Sequence, residues 1–162
     1  MGSRTTQILA IVAAVAGAVI AIGLAVVLLG GDATASRADY QATVVNTRDR
    51  VDFAYARIAR SQSIDELIER MDEASAVIGR TASDLDEAGV AEGFEDMNAR
   101  LVTKLQAFSN VLHSTSEQFQ DPTFGPAIGG INSLSFPEWD EVNKVLAELK
   151  AKGIQVDQLE RH

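Results

Sequence analysis

Residues 94–119 read FEDMNARLVTKLQAFSNVLHSTSEQF. Within this stretch Phe94, Met97, Leu101, Leu105, Phe108, Leu112 and Phe119 recur at helical spacing, and Thr115 keeps the register. An α-helix turns once in about 3.6 residues, so steps of three and four place them on one stripe. The strict alternation that marks a half-buried strand is absent. The pattern predicts a helix that starts near Glu92. It should stop at Asp121-Pro122, because the residue before a proline is pushed out of the helical region. A stripe of this length needs other helices to cover it.

The flanking sequence supplies them. Ser63-Ile64-Asp65-Glu66 has the form of a capping box. Leu67, Met71, Ala74, Ile78, Thr81 and Leu85 then follow on one face, and Gly89 fits the left-handed residue that ends a helix. Upstream, Ser36-Arg37-Ala38-Asp39 is a second cap. It opens a stripe of Tyr40, Val44, Thr47, Val51, Ala54 and Ile58, which Ser61-Gln62-Ser63 interrupts. Downstream, Ser135-Phe136-Pro137-Glu138 opens a shorter helix with Trp139, Val142, Leu146 and Leu149 buried, closed by Gly153. Residues 154–162 are expected to add a short turn or to fray. Short connections make neighbouring helices antiparallel. The fold class is therefore all-α: an up-down, coiled-coil-like bundle of three long helices and one shorter helix, spanning residues 36–153.

Between the third and fourth helices lies an irregular stretch, residues 121–135, with two prolines and three glycines. It also carries Phe124, Ile128, Ile131 and Leu134 and leads into Phe136. That much apolar surface predicts a loop that caps the open end of the bundle or binds a partner protein.

Ile8 to Leu29 contains no charged or polar side chain. At about 1.5 Å per residue, such a run spans the ~30 Å hydrocarbon core of a bilayer, and a lone span must be helical. The reading divides the chain into an N-tail (1–7), a membrane helix (8–29), a linker (30–35), the bundle, and a C-terminal tail (154–162). Arg4 precedes the span with no acid near it, whereas Asp32 and Asp39 accompany Arg37 after it. The positive-inside rule then predicts a cytoplasmic N-terminus and an extracytoplasmic C-terminal domain on a single-pass signal anchor. Ala33-Thr34-Ala35 offers the alternative of a cleaved signal peptide and a secreted domain, although the apolar run is longer than a typical signal core. Ala13, Gly17, Ala21 and Ala25 share one face of the span and allow close helix packing, hence a homodimer or a partner helix. An alanine-rich sequence also generates this pattern by chance.

The chain has 162 residues, a net charge of −9 and no cysteine. All 23 acidic residues follow the apolar run, so the domain repels nucleic acid and anionic headgroups. The expected partners are lipid, through the anchor, and a protein of the envelope. Disulfides and lipidated cysteines are excluded. Arginine outnumbers lysine ten to four, which resembles the usage of a high-GC genome.

A nucleophilic site needs a nucleophile, a base and an orienting group. Besides the terminal His162, the sequence offers one histidine, His113, with Glu117 one turn later; the Glu-x-x-His repeats of di-iron bundles are missing. No phosphate-binding glycine loop occurs. No enzyme and no cofactor is predicted. Asp84, Asp86, Gly89, Glu92 and Glu95 match the spacing of a calcium loop at positions 1, 3, 6, 9 and 12, but position 5 is Ala88, which has no side-chain oxygen. A glycine turn between helices flanked by acids produces the same spacing, so these four acids are calcium candidates without a predicted metal site. Arg48, Arg50, Arg57 and Arg60 either face the acids of the second helix or form a solvated face of mixed charge, and the second reading is the expected one.

An N-terminal span followed by the alanine-rich helical stretch Tyr40 to Phe119 resembles small, uncharacterised, membrane-anchored envelope proteins of high-GC Gram-positive bacteria. The resemblance is one of layout, carries no diagnostic motif and implies no activity or site residues. Four-helix sensory domains of membrane receptors look alike in outline. With the chain ending at His162, signalling across a membrane by this chain alone is not expected. The function expected is a membrane-tethered, non-catalytic interaction or adaptor module of the cell envelope. The alternative is a ligand-binding or sensing bundle with a pocket where the 124–136 loop meets the third and fourth helices.

Overall fold

A computed structural model describes residues 34–121 and 135–161. Four helices occur there and no strand: α1 (Arg37–Ala59), α2 (Ile64–Glu87), α3 (Glu95–Gln120) and α4 (Pro137–Ala151). None of them is long and apolar enough to cross a membrane. The predicted span, with Ala13, Gly17, Ala21 and Ala25, lies outside the described residues, as do Phe124, Ile128, Ile131 and Leu134.

The caps act as their sequences predict. Ser36 Oγ accepts from the Asp39 N–H and Ser63 Oγ from the Glu66 N–H, both at 3.1 Å. The Glu66 carboxylate reaches back one residue further than an ideal box would, to the Gln62 N–H at 3.0 Å. All six stripe residues of α1 and all six of α2 are buried, together with Met97, Leu101, Leu105, Phe108 and Leu112 of α3 and the four of α4.

Polar contacts between helices set their directions. Arg50 meets Asp84 and Arg57 meets Glu73, so α1 and α2 are antiparallel. Ser75 Oγ donates to the Ser109 carbonyl and Ser109 Oγ to the Ser75 carbonyl, each at 2.9 Å. This reciprocal pair joins α2 to α3, where Gly79 leaves only enough room for Ser109 Oγ. Arg100–Glu148 and Lys104–Glu141 orient α4 against α3. At the end where α1 stops and α4 begins, the Tyr55 ring meets Phe108, Phe136 and Trp139 at 5.7, 6.3 and 6.5 Å between centroids. At the opposite end Tyr40 lies 5.6 Å from Phe94.

The turn between α2 and α3 departs from expectation. Helix α2 ends at Glu87, and Ala88 is already extended. Gly89 does not take the left-handed conformation; Gly93 does, with φ 81°. Helix α3 begins at Glu95 and not near Glu92, with Phe94 at its N-cap. The reason is packing. Burial of Ala91 and of the Phe94 ring against Tyr40 pulls the chain inward before the helix starts.

The C-terminal tail does not fray. Ile154, Val156 and Leu159 are 0, 3 and 3 % exposed and belong to the core. After the turn at Gly153 (φ 92°) the chain returns between α4 and α1. Gln155 N–H bonds to Gln41, the Gln158 carbonyl to Arg48 and Glu160 N–H to Asp52. Eleven residues of helix at about 1.5 Å and five of extended chain at about 3.3 Å cover the same length, so the two stay in step.

Candidate functional site

The calcium candidates do not converge. Asp84 is held by Arg50 at 2.6 Å from across the hairpin. The Glu95 carboxylate turns back to accept the Gly93 N–H at 3.1 Å. Asp86 and Glu92 are exposed. Among the described residues no group of three or more histidine or acidic side chains is placed to hold a metal ion. Asp84 and Asp86 stand on the last turn of α2, Glu92 in the turn and Glu95 at the start of α3.

His113 and Glu117 do meet, at 3.6 Å through Nε2. The tertiary structure adds Asp72 from α2, whose Oδ1 lies 3.3 Å from His113 Nδ1 and also accepts from Ser116 Oγ. Aspartate, histidine and serine are thus together, but in the wrong order for nucleophilic catalysis. The serine proton goes to the carboxylate or to the His113 carbonyl at 2.8 Å, and the other imidazole nitrogen faces Glu117. The cluster ties α2 to α3. Sequence reasoning could not find Asp72, because helical spacing relates only residues of one helix; Ser116, three residues after His113 on α3, lies within that spacing.

Of the proposed partner residues, Phe136 is described. It is 6 % exposed, and its ring packs against Tyr55 and Phe108. This residue caps the core and is not available to a partner. Next to it a shallow groove of about 540 Å³ runs between α4 and the tail, lined by Trp139, Asp140, Asn143, Lys144, Gln158, Leu159 and Arg161. Arg161 stacks its guanidinium 5.3 Å from the Trp139 ring and pairs with Asp140 at 3.4 Å. Lys144 pairs with Glu141, which also meets Lys104; these contacts hold the Glu141 carboxyl below its ordinary range. The groove's charges are already matched, so it presents no uncompensated group to a ligand.

The polar core is satisfied at one end and not at the other. At the α2–α3 turn, Tyr40 donates to Asn98 Oδ1 at 3.2 Å, and burial with the nearby Glu95 charge raises its pKa to about 12. Among the described residues, the buried atoms without a hydrogen-bond partner are Ser61 Oγ, Glu138 Oε2 and Trp139 Nε1. All three lie where α1 ends and α4 begins. Among the described residues, the exposed large apolar side chains are Phe53, 67 % exposed, and Ile64, 40 % exposed. Both lie toward that same end, on the second half of α1 and the first turn of α2. Comparison with protein-family models, with curated proteins and with solved structures returns no match for this chain.

Proposed function

We propose that this chain is a membrane-tethered, non-catalytic interaction module of the cell envelope that contacts a partner protein with the end of its bundle opposite the α2–α3 turn. The observation that carries this reading is the exposure of Phe53 and Ile64 toward one end of the bundle. Aromatic side chains at the surface beside arginines, here Arg57 and Arg60, are the usual anchors of protein interfaces. The anchor is the uncharged run Ile8 to Leu29, with the N-terminus cytoplasmic and the bundle outside. The Ala35 N–H donates to the Val90 carbonyl, so the residue just before the α1 cap is tied to the α2–α3 turn.

A photo-crosslinking residue placed at Phe53, at Ile64 or, as a control, at exposed Asp96 of the turn tests this in intact cells. Discrete adducts are expected from the first two positions and not from the third. Equal labelling at all three, or none, overturns the proposal. Protease added to spheroplasts should degrade the bundle. Full protection reverses the topology, and release of a fragment beginning near Ser36 establishes cleavage.

A further inference from the structure

Two ion pairs cross the outer face of the α1–α2 hairpin, Arg50–Asp84 at 2.6 Å and Arg57–Glu73 at 2.8 Å. They fix what stands between them. On α1, Arg50, Phe53 and Arg57 follow at steps of three and four, and Arg60 at the C-cap continues the same stripe. On α2, Glu73, Val77, Arg80 and Asp84 do likewise. The two stripes run side by side, and Phe53, Val77 and Arg80 fall between the two pairs. Val77 packs against the core, whereas Phe53 stays exposed.

Charge does not balance on this strip. Asp49 pairs with Arg48 and Asp84 with Arg50, while Glu66 and Glu73 match Arg57 and Arg70. Arg60 and Arg80 remain, both exposed. Arg80 Nε donates to the Ala76 carbonyl of its own helix at 3.1 Å, and among the described residues no carboxylate pairs with either arginine. Arg80 stands beside Phe53, and Arg60 lies seven residues beyond Phe53, about 10 Å at the helical rise. The strip therefore offers one apolar ring and two unmatched guanidinium groups about two helical turns apart. Aromatic rings beside arginines anchor interfaces, and a guanidinium binds a carboxylate through two parallel hydrogen bonds.

We propose that this strip docks an acidic helical segment of the partner protein, with an apolar side chain over Phe53 and carboxylates two turns apart on Arg80 and Arg60. The proposal rests on the reading of the chain as an interaction module and names the chemistry of its partner. Charge complementarity selects the occupant. Two copies meeting face to face would oppose arginine to arginine, and the net negative domain is repelled by anionic headgroups.

The test uses the full-length chain in intact cells with benzoylphenylalanine at Phe53, which keeps an aromatic ring there. Arg60→Glu and Arg80→Glu, each added singly, should lower the yield of the adduct roughly tenfold, because like charges then face each other. Lys152→Glu, an equal change of charge at an exposed site on α4, should leave it unchanged. Arg60→Gln and Arg80→Gln should lower the yield less, with melting temperatures equal to that of the parent chain. Mass spectrometry of the adduct should place the crosslink between two carboxylates of a helical segment. Lysine at the mapped carboxylate should restore capture by the matching Arg→Glu chain. An adduct at Phe53 that ignores Arg60→Glu and Arg80→Glu, or falls equally with Lys152→Glu, overturns this proposal. So does an adduct with lipid or with a second copy of the chain. A protein adduct at Ile64 with none at Phe53 also overturns it but leaves the interaction-module reading standing. Absence of adducts at both positions overturns both.

Discussion

Asn143 on α4 grips Leu159 in the tail by both main-chain groups, accepting from its N–H at 2.6 Å and donating to its carbonyl at 3.3 Å. Sixteen residues separate them, yet the carboxamide does for the tail what a neighbouring strand does in a sheet. Both main-chain groups of Leu159 are buried and have no other described partner, so the fold depends on this one side chain to satisfy them.

Asn143→Ala leaves those groups unpaired and should cost about 1–3 kcal/mol. Asn143→Asp keeps the acceptor but sets a buried carboxylate oxygen against the Leu159 carbonyl, so near neutral pH it should cost at least as much as alanine. Urea unfolding reads the loss. Carboxypeptidase should trim the alanine variant faster, because the tail loses its clamp. Unchanged stability in Asn143→Ala would refute the assigned role.

Leu105 and Phe108 stand mid-stripe on α3 and are fully buried. Each to Ala removes burial and leaves a cavity, with an expected loss of ~2–5 kcal/mol. Phe108 also loses its ring contacts with Tyr55 and Phe136, which should place it at the upper end. Thermal melting followed by circular dichroism measures both.

Tyr40 ionises near 10.0 when unfolded and at about 12 when folded. Between those values the unfolded chain has already released a proton that the folded chain keeps. Unfolding is therefore favoured, and stability should fall as pH rises through this window. Tyr55, also raised by burial, adds in the same direction. Tyr40→Phe should cost about 1 kcal/mol at neutral pH through the lost bond to Asn98 and should flatten the alkaline decline. A decline of equal steepness in the variant would show that another group is responsible.

Gly93 adopts φ 81°, and a Cβ added there would meet nothing within 4 Å, so alanine is strained by conformation alone. Gly93→Ala should cost about 1–2 kcal/mol. Gly89→Ala should be close to neutral, because Gly89 is not left-handed. Urea unfolding of the two variants compares them directly. The reverse order would place the turn where the spacing of acids points.

Millimolar calcium should leave the melting temperature unchanged beyond what magnesium or salt produces. Asp84→Ala removes an exposed ion pair with Arg50 and should shift stability by less than about 1 kcal/mol. A calcium-specific rise that Asp84→Ala or Glu95→Ala abolishes would restore the metal reading.

Helix identity was legible because it is periodic. Tyr40 to Ile58, Leu67 to Leu85 and Met97 to Leu112 repeat at steps that only a helix brings to one face, and Ser36 and Ser63 mark their starts. Two of the four arginines of the first helical stretch, Arg50 and Arg57, pair with acids of α2, where a solvated face of mixed charge was the expected reading. The turn was less legible: Gly89 and Gly93 both precede acids, and the choice between them rests on Phe94 reaching Tyr40, a contact between the start of α1 and the N-cap of α3, far apart in sequence.

By itself the sequence determined the number of helices in the bundle, their stripes and the serine caps of the first two. Each of these depends on residues within about two turns of one another, where spacing is geometry. Only the tertiary structure decided the place of the tail, the partner of His113 and the end of the bundle left unsatisfied. Ile154, Val156 and Leu159 are too few to show a period, and they are held by Gln41, Arg48, Asp52 and Asn143 from distant helices. Such contacts exist once the helices are packed, and no local pattern encodes them.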